Sequence, residues 1–313
     1  MFSKLAIALT DRCTASCEMC CFGCSRKGEH HLETALIKNA IDEAFECGNI
    51  RTIGFTGGEP FIYYDQLLEC ASYANDKGME VTINSNGFWG GDKLSAKDKV
   101  EGLKAAGVKS IWFSADRYHQ SFVPQADLLQ AMRVAKDAGL LVFVTVIETK
   151  DHYERTLLPE LEKVSDKVIK SKLFPAGKAA DICGEWEIKK CDANSCVCGY
   201  EGKALLGFDG NYYMCCSPFV KEVGRLRLGR ALDTSIKDLG RIVAKDDYLY
   251  VMLKCGLFWY VQAAKESGFE FEQKVSGCCE LCSKVFNNAD FLEIIKEKVS
   301  KEADKQRIRQ LFG

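Results

Sequence analysis

The sequence predicts an α/β protein: an open or partial (β/α)6 barrel over residues 1–190, then a cysteine-rich C-terminal extension over residues 191–313. Three observations carry this expectation. Short apolar runs alternate with helix-like segments through the first half. Gly, Asp or Asn bounds each run. Beyond Cys191 the alternation stops and cysteines recur.

The first apolar run, KLAIALT, is followed at once by Asp11 and Arg12 with no small-residue cleavage site, so it reads as a buried strand rather than a signal peptide. In the next segment, 32–46, Leu36, Ile37, Ala40, Ile41, Ala44 and Phe45 form one apolar stripe of helical period, closed by Gly48. The alternation continues with TIGFTG, a helix over 65–77, EVTINS, a helix over 94–106 and SIWFSA. A helix over 125–138, LLVFVTVIE, a helix over 154–164 and KVIKSKLF complete it.

The chain has 313 residues, 47% of them apolar and 27% charged, which excludes a disordered polypeptide. A formal net charge of −2 excludes a nucleic-acid or anionic-membrane partner held by bulk electrostatics. No segment reaches the roughly 20 apolar residues that a bilayer span requires. A cytoplasmic protein is expected, and in that reducing compartment its seventeen cysteines read as metal ligands or catalysts rather than disulfides.

In parallel β/α folds the chemistry sits at the carboxyl ends of the strands. There the sequence places CTASCEMCCFGCS after strand one, Gly57-Gly58-Glu59-Pro60 after strand two, Asn84-Ser85-Asn86-Gly87 after strand three and Ser114-Ala115-Asp116 after strand four. Four polar or sulfur-rich loops thus converge on one mouth. The spacing of Cys13, Cys17 and Cys20 lets one loop wrap three thiolates around a 4Fe-4S cluster, leaving one iron for a chelating small molecule. A closed zinc site normally takes a fourth protein ligand.

The three-cysteine loop and the Gly-Gly-Glu-Pro turn, in this order, resemble the hallmarks of the radical S-adenosylmethionine (SAM) superfamily. The resemblance implies that the backbone around Gly57, Gly58 and Glu59 holds the SAM amino group, that Ser85 and Asn86 bond its carboxylate or ribose, and that Ser114 and Asp116 take the ribose side. It places Pro175-Ala176-Gly177 beside the adenine. Cys21 and Cys24 are expected to line the cysteine loop or pack beneath it.

In the extension, the hairpin-like LLGFDGNYYMCCS, with Gly210 and, after four residues, Cys215, resembles the auxiliary-cluster region of SPASM and twitch-type radical SAM enzymes. This implies one auxiliary 4Fe-4S cluster on Cys198, Cys215, Cys279 and Cys282. Cys196 is the alternative to Cys198, Cys278 the alternative to Cys279, and a structural zinc site on the same thiolates the competing reading. The strings RCTASCEMCCFGCS, FTGGE, SNGFWG, YHQSFV and CCSP are similar to the radical SAM peptide epimerases that mature epipeptides. That similarity implies Cα hydrogen abstraction from an L-residue of a ribosomal precursor peptide, hydrogen return from Cys216, and a low-potential donor of the flavodoxin or ferredoxin type. A peptide cyclase forming sactionine-type thioethers and a non-enzymatic iron-sulfur redox sensor are the alternatives. The short run before strand one leaves the peptide to be gripped by the mouth and the extension, as an added strand.

Other features have plain expectations. His30-His31 read as a solvated turn, Tyr118-His119 as packing or mouth-facing groups, Leu257-Phe258-Trp259-Tyr260 as a core helix and Lys296 to Arg309 as a solvated helix. Cys47, Cys70, Cys183, Cys191 and Cys255 have no orderly spacing and read as packing residues.

Overall fold

Six strands follow the expected runs: β1 (Lys4–Ala8), β2 (Thr52–Thr56), β3 (Glu80–Ser85), β4 (Val108–Ser114), β5 (Leu141–Ile147) and β6 (Lys167–Ser171). They pair in parallel and in chain order. The computed structural model describes residues 2–149, 151–182, 190–196, 198, 202–272 and 274–312, so the expectation for Cys183 lies outside the described residues. Helices α1 (Thr34–Glu46), α2 (Tyr64–Asp76), α3 (Lys93–Ala105), α4 (Arg117–Gln120), α5 (Gln125–Asp137) and α6 (Glu154–Val164) connect these strands. On α1 the six-residue stripe narrows to Ile37, Ala40, Ile41 and Ala44. Phe45 lies at the flank of the helix, exposed, with the Lys77 ammonium 5.5 Å from its ring centre.

After α7 (Ala179–Ile182) the extension contributes β7 (Cys191–Asp192), β8 (Lys203–Leu206), β9 (Asn211–Tyr213) and β10 (Arg227–Arg230). The strand β8 pairs in parallel with β1, from Lys4 opposite Lys203 to Ile7 opposite Leu206. Then β9 and β10 follow antiparallel, so one nine-stranded sheet runs β10-β9-β8-β1-β2-β3-β4-β5-β6. The change of rhythm near residue 190 therefore falls within a continuous sheet. One large apolar cluster, from Leu5 and Phe55 in the barrel to Tyr212, Tyr260 and Phe291 in the extension, runs across it.

The remaining helices are α8 (Ile236–Lys245), α9 (Asp247–Cys255) and α10 (Leu257–Glu266), followed by β11 (Lys274–Val275), α11 (Cys278–Phe286), α12 (Ala289–Ile294) and α13 (Lys296–Phe312). The barrel caps one of them directly: Ile236 N at the start of α8 donates to Glu43 Oε2 of α1 at 2.8 Å. Tyr260 is fully buried in α10, as the aromatic run predicts, whereas Phe258 is exposed. The expectation of a solvated α13 needs correction. Val299 and Ala303, one turn apart, are completely buried, and Arg307 Nη2 on the same face donates to Ala244 O and pairs with Asp247. Two small apolar residues among many charges are too weak a periodic signal to show this docking face.

Candidate active site

The cysteine loop leaves β1 and folds back on itself, with Cys13 N donating to Ser25 O, Ser25 N to Asp11 O and Cys20 N to Cys17 O. The turn after β2 clamps its base: Gly58 N donates to Thr10 O at 2.6 Å and Glu59 N to Arg12 O at 2.9 Å. This explains the glycine pair. A Cβ on Gly57, whose φ is +132°, would lie 2.6 Å from Thr10 O, and one on Gly58 would collide with Arg12 O.

Glu59 is wholly buried, and its carboxylate accepts from Asn86 N at 2.7 Å, Ser85 Oγ at 2.9 Å and Phe61 N at 3.2 Å. Burial pushes its carboxyl up to about 7 against the pull of those hydrogen bonds. Ser85 Oγ also accepts from Gly87 N and from Trp89 Nε1. A hydroxyl has one proton and two lone pairs, so Ser85 is saturated. The Ser85 hydroxyl, expected to bond a ligand, instead bonds the Glu59 carboxylate, and the two side chains lock the loops after β2 and β3 together. Asn86 reaches the cysteine loop, with Nδ2 donating to Thr14 Oγ1 at 3.0 Å and lying 3.7 Å from Cys13 Sγ.

Ser114 ends β4, half-buried. The buried Asp116 caps α4 by accepting from Tyr118 N and His119 N, and its second oxygen meets His119 Nδ1 at 2.9 Å. Burial opposes protonation of His119, but the Asp116 carboxylate overrides it and holds the imidazole above its ordinary value. Tyr118 packs on Ile147 and Leu173. On α4, Gln120 has both amide atoms buried without a hydrogen-bond partner. It was not singled out from the sequence, although it lies inside the string YHQSFV.

The three thiols of the triad face these polar groups. Burial pushes Cys13 up to about 11, with the Glu59 charge adding to the effect, and raises Cys17, on which Asp116 also bears. Cys24 packs beneath them, and its hydrogen bond to Cys20 holds that thiol below the ordinary value. Two clustered thiols that resist ionisation and a third, Cys20, that favours it fit an iron-sulfur cluster, because its cationic irons would draw all three into the thiolate form. The loop after β6 lies on this loop: Lys178 N donates to Cys20 O, and Lys178 Nζ to Cys24 O at 2.8 Å.

A second thiol group lies in the extension. A cavity of about 380 Å³ is lined by Cys198, by Cys215 and Cys216 just after β9, and by Cys278, Cys279 and Cys282 of α11, with Phe174, Met214 and Met252 as apolar walls. Burial pushes Cys215 up to about 11 and raises Cys282 further. Both Cys278 and Cys279 are present at the cavity. Of the other alternative pair, Cys198 lines it, whereas Cys196 Sγ lies 4.0 Å from Cys191 Sγ. The antiparallel pairing of β7 with β11 brings Cys191 there, next to Val275 O. Cys191 thus packs against the core and Cys196, as its lack of orderly spacing predicts. Among the described residues no three Cys, His, Asp or Glu side chains converge as ligands of a single ion do.

The other cysteines and histidines stay structural. Cys70 is fully buried, Cys47 is half-buried after α1, and Cys255 Sγ lies 3.8 Å from Glu302 Oε1. His30 pairs with Asp11, and His31 bonds Gln66 and stacks on Tyr63. Among the described residues no helix is long and apolar enough to cross a membrane.

With the cysteine loop, the two-glycine turn and the parallel barrel in place, residues 7–157 match the family described as the radical SAM superfamily. The chain carries a radical SAM domain. Along 93% of its length it is 28% identical to 94% of a Bacillus subtilis (strain 168) protein described as the putative peptide biosynthesis protein YydG. Solved structures share the fold. SuiB of Streptococcus suis bound to S-adenosylmethionine superposes with a TM-score of 0.58 at 16% identity, over 81% of this chain and 68% of that one. The enzyme anSMEcpe, with bound AdoMet and a Cp18Cys peptide, gives 0.54 at 14% identity over 97% and 99%.

Proposed function

We propose that this protein is a radical SAM enzyme that inverts L-residues to D-residues in a ribosomally made precursor peptide. The observation that carries this reading is the Cys215–Cys216 pair in a cavity shared with Phe174 of the loop after β6. There a second thiol stands beside an auxiliary ligand and one loop away from the SAM-binding triad. The near full-length similarity to a protein named for peptide biosynthesis supports a peptide as substrate.

In this reading Cys13, Cys17 and Cys20 would hold a 4Fe-4S cluster, which would supply the electron for reductive cleavage of bound SAM. The backbone of Gly57 and Gly58, with Asn86, Ser114, Asp116 and the vacant Gln120 amide, binds and orients SAM, while Glu59 and Ser85 set the loops that carry those groups. The peptide Cα loses its hydrogen atom to the adenosyl carbon, forming 5'-deoxyadenosine. Cys216 Sγ–H returns a hydrogen atom to the opposite face, and the thiyl left behind takes up one electron and one proton. A low-potential flavodoxin or ferredoxin-type donor supplies both electrons of the turnover. Cys198, Cys215, Cys279 and Cys282 hold the auxiliary cluster beside Cys216. Because each transfer demands a close, aligned donor and acceptor, selectivity rests on positioning.

The test is anaerobic turnover in deuterated water with synthetic candidate precursor peptides, read by mass spectrometry and chiral amino-acid analysis. One deuterium gained per modified residue, with D-residues appearing, is expected. Cys216→Ala is expected to cleave SAM and release 5'-deoxyadenosine without forming D-residues. Full epimerisation by that variant would overturn the reading, and loss of two hydrogens from the peptide would replace it with cyclisation.

A further inference from the structure

The loop after the cysteine pair is built as a rigid strut. Val220 N donates to Ser217 O and Glu222 N to Phe219 O, two successive turns, and the side chains of Phe219 and Val220 are buried beneath them. From its end, two adjacent side chains reach in different directions. Lys221 turns back to the β8–β9 hairpin, its Nζ 3.3 Å from Asp209 Oδ2 and 3.6 Å from the centre of the Phe208 ring. Glu222 reaches across to the barrel, where its Oε1 accepts from Gly177 N at 2.8 Å.

Gly177 is where the barrel's own loops meet. Its φ is +55°, and a Cβ there would collide with the backbone of Cys20 and Cys21, so only glycine allows this contact with the cysteine loop. The next residue, Lys178, bonds the carbonyls of Cys20 and Cys24 through its backbone and side chain. The Glu222 charge also bears on the Cys21 thiol. One carboxylate therefore ties the loop carrying Cys215 and Cys216 to the loop carrying Cys13, Cys17 and Cys20, through a single intervening glycine.

We propose that Glu222 is the positioning residue that fixes the distance between the radical-forming loop and Cys216. The inference rests on the reading of Cys216 as the hydrogen donor. A charge-assisted hydrogen bond to a backbone N–H suits the task, because it defines a length and a direction that an apolar contact does not. A change of about 1 Å in such a spacing is enough to slow hydrogen return on the order of 100-fold. In the meantime the carbon radical is lost to other fates.

The experiment compares Glu222→Ala, Glu222→Asp and Glu222→Gln with the parent enzyme, each with clusters reconstituted. Two quantities are read: hydrogen exchange of the segment containing Gly177, and the ratio of 5'-deoxyadenosine released to D-residues formed. Glu222→Ala is expected to speed exchange at Gly177 and raise the ratio about 10-fold or more. Glu222→Asp, which keeps the charge but shortens the reach, is expected to do the same and serves if the alanine variant does not fold. Glu222→Gln keeps an acceptor oxygen and is expected to restore both quantities. Faster exchange with an unchanged ratio overturns the positioning role, and unchanged exchange overturns the contact itself. Cys216→Ala run alongside separates the two claims, since D-residues from that variant sink the donor reading, whereas an unchanged Glu222→Ala ratio with an inactive Cys216→Ala sinks only this one.

Discussion

The mouth of the barrel and the cysteine cavity of the extension both gather thiols, but they are built in opposite ways. The mouth draws its three from one loop of eight residues and surrounds them with Glu59, Asn86 and Asp116. The cavity draws its thiols from positions 198, 215–216 and 278–282 and walls them with Phe174, Met214 and Met252. A polar mouth suits a charged small molecule such as SAM. An apolar cavity shields thiol and radical chemistry from water.

The sharpest way to break this comparison is to remove one thiol from each site. Cys17→Ala is expected to lose one cluster's iron and to abolish reductive cleavage of SAM. Cys282→Ala is expected to lose the other cluster's iron while 5'-deoxyadenosine still forms. Iron analysis with product chromatography reads both, and equal loss of cleavage in the two variants would erase the division of labour.

A smaller effect is expected from the glycine pair. Gly58→Ala places a methyl group against Arg12 O, so the loops after β1 and β2 must part, at a cost of roughly 3 kcal/mol. Denaturant unfolding measures this. A comparable substitution at Gly210, whose Cβ would meet nothing within 4 Å, should show only the strain of its φ of +72°.

The smallest expected effect is a pH slope. The Glu59 carboxyl is raised to about 7 in the folded protein, so the fold favours its neutral form. Its contribution is therefore fully present below the unfolded value of 4.5 and is lost as pH rises through about 7. Between about pH 5 and pH 7 the apoprotein should lose on the order of 2 kcal/mol from this group. Glu59→Gln should flatten that slope, and a slope unchanged in the variant would assign it to another residue.

Much of the mouth was legible because its information is local. Cys13, Cys17 and Cys20 lie within one loop, and strands β1 to β6 announce themselves by short apolar runs between turn residues. What the residue types did not disclose is how they are used. Ser85 and Glu59 have the chemistry of ligand contacts, yet the hydroxyl is saturated by Glu59, Gly87 and Trp89. Gln120 looks ordinary in the chain, yet both of its amide atoms are buried with unmet hydrogen bonds.

By itself the sequence determined the parallel barrel, the cysteine triad and the glycine turn beside it, since period and spacing act over a few residues and survive any global arrangement. Only the tertiary structure decided that β8 joins β1, that Cys198 rather than Cys196 lines the cavity, that Val299 and Ala303 dock α13, and that Glu222 reaches Gly177. These are contacts between residues tens to hundreds of positions apart. They leave no periodic trace in the chain, because each is made by packing the whole core rather than by the residues on either side of it.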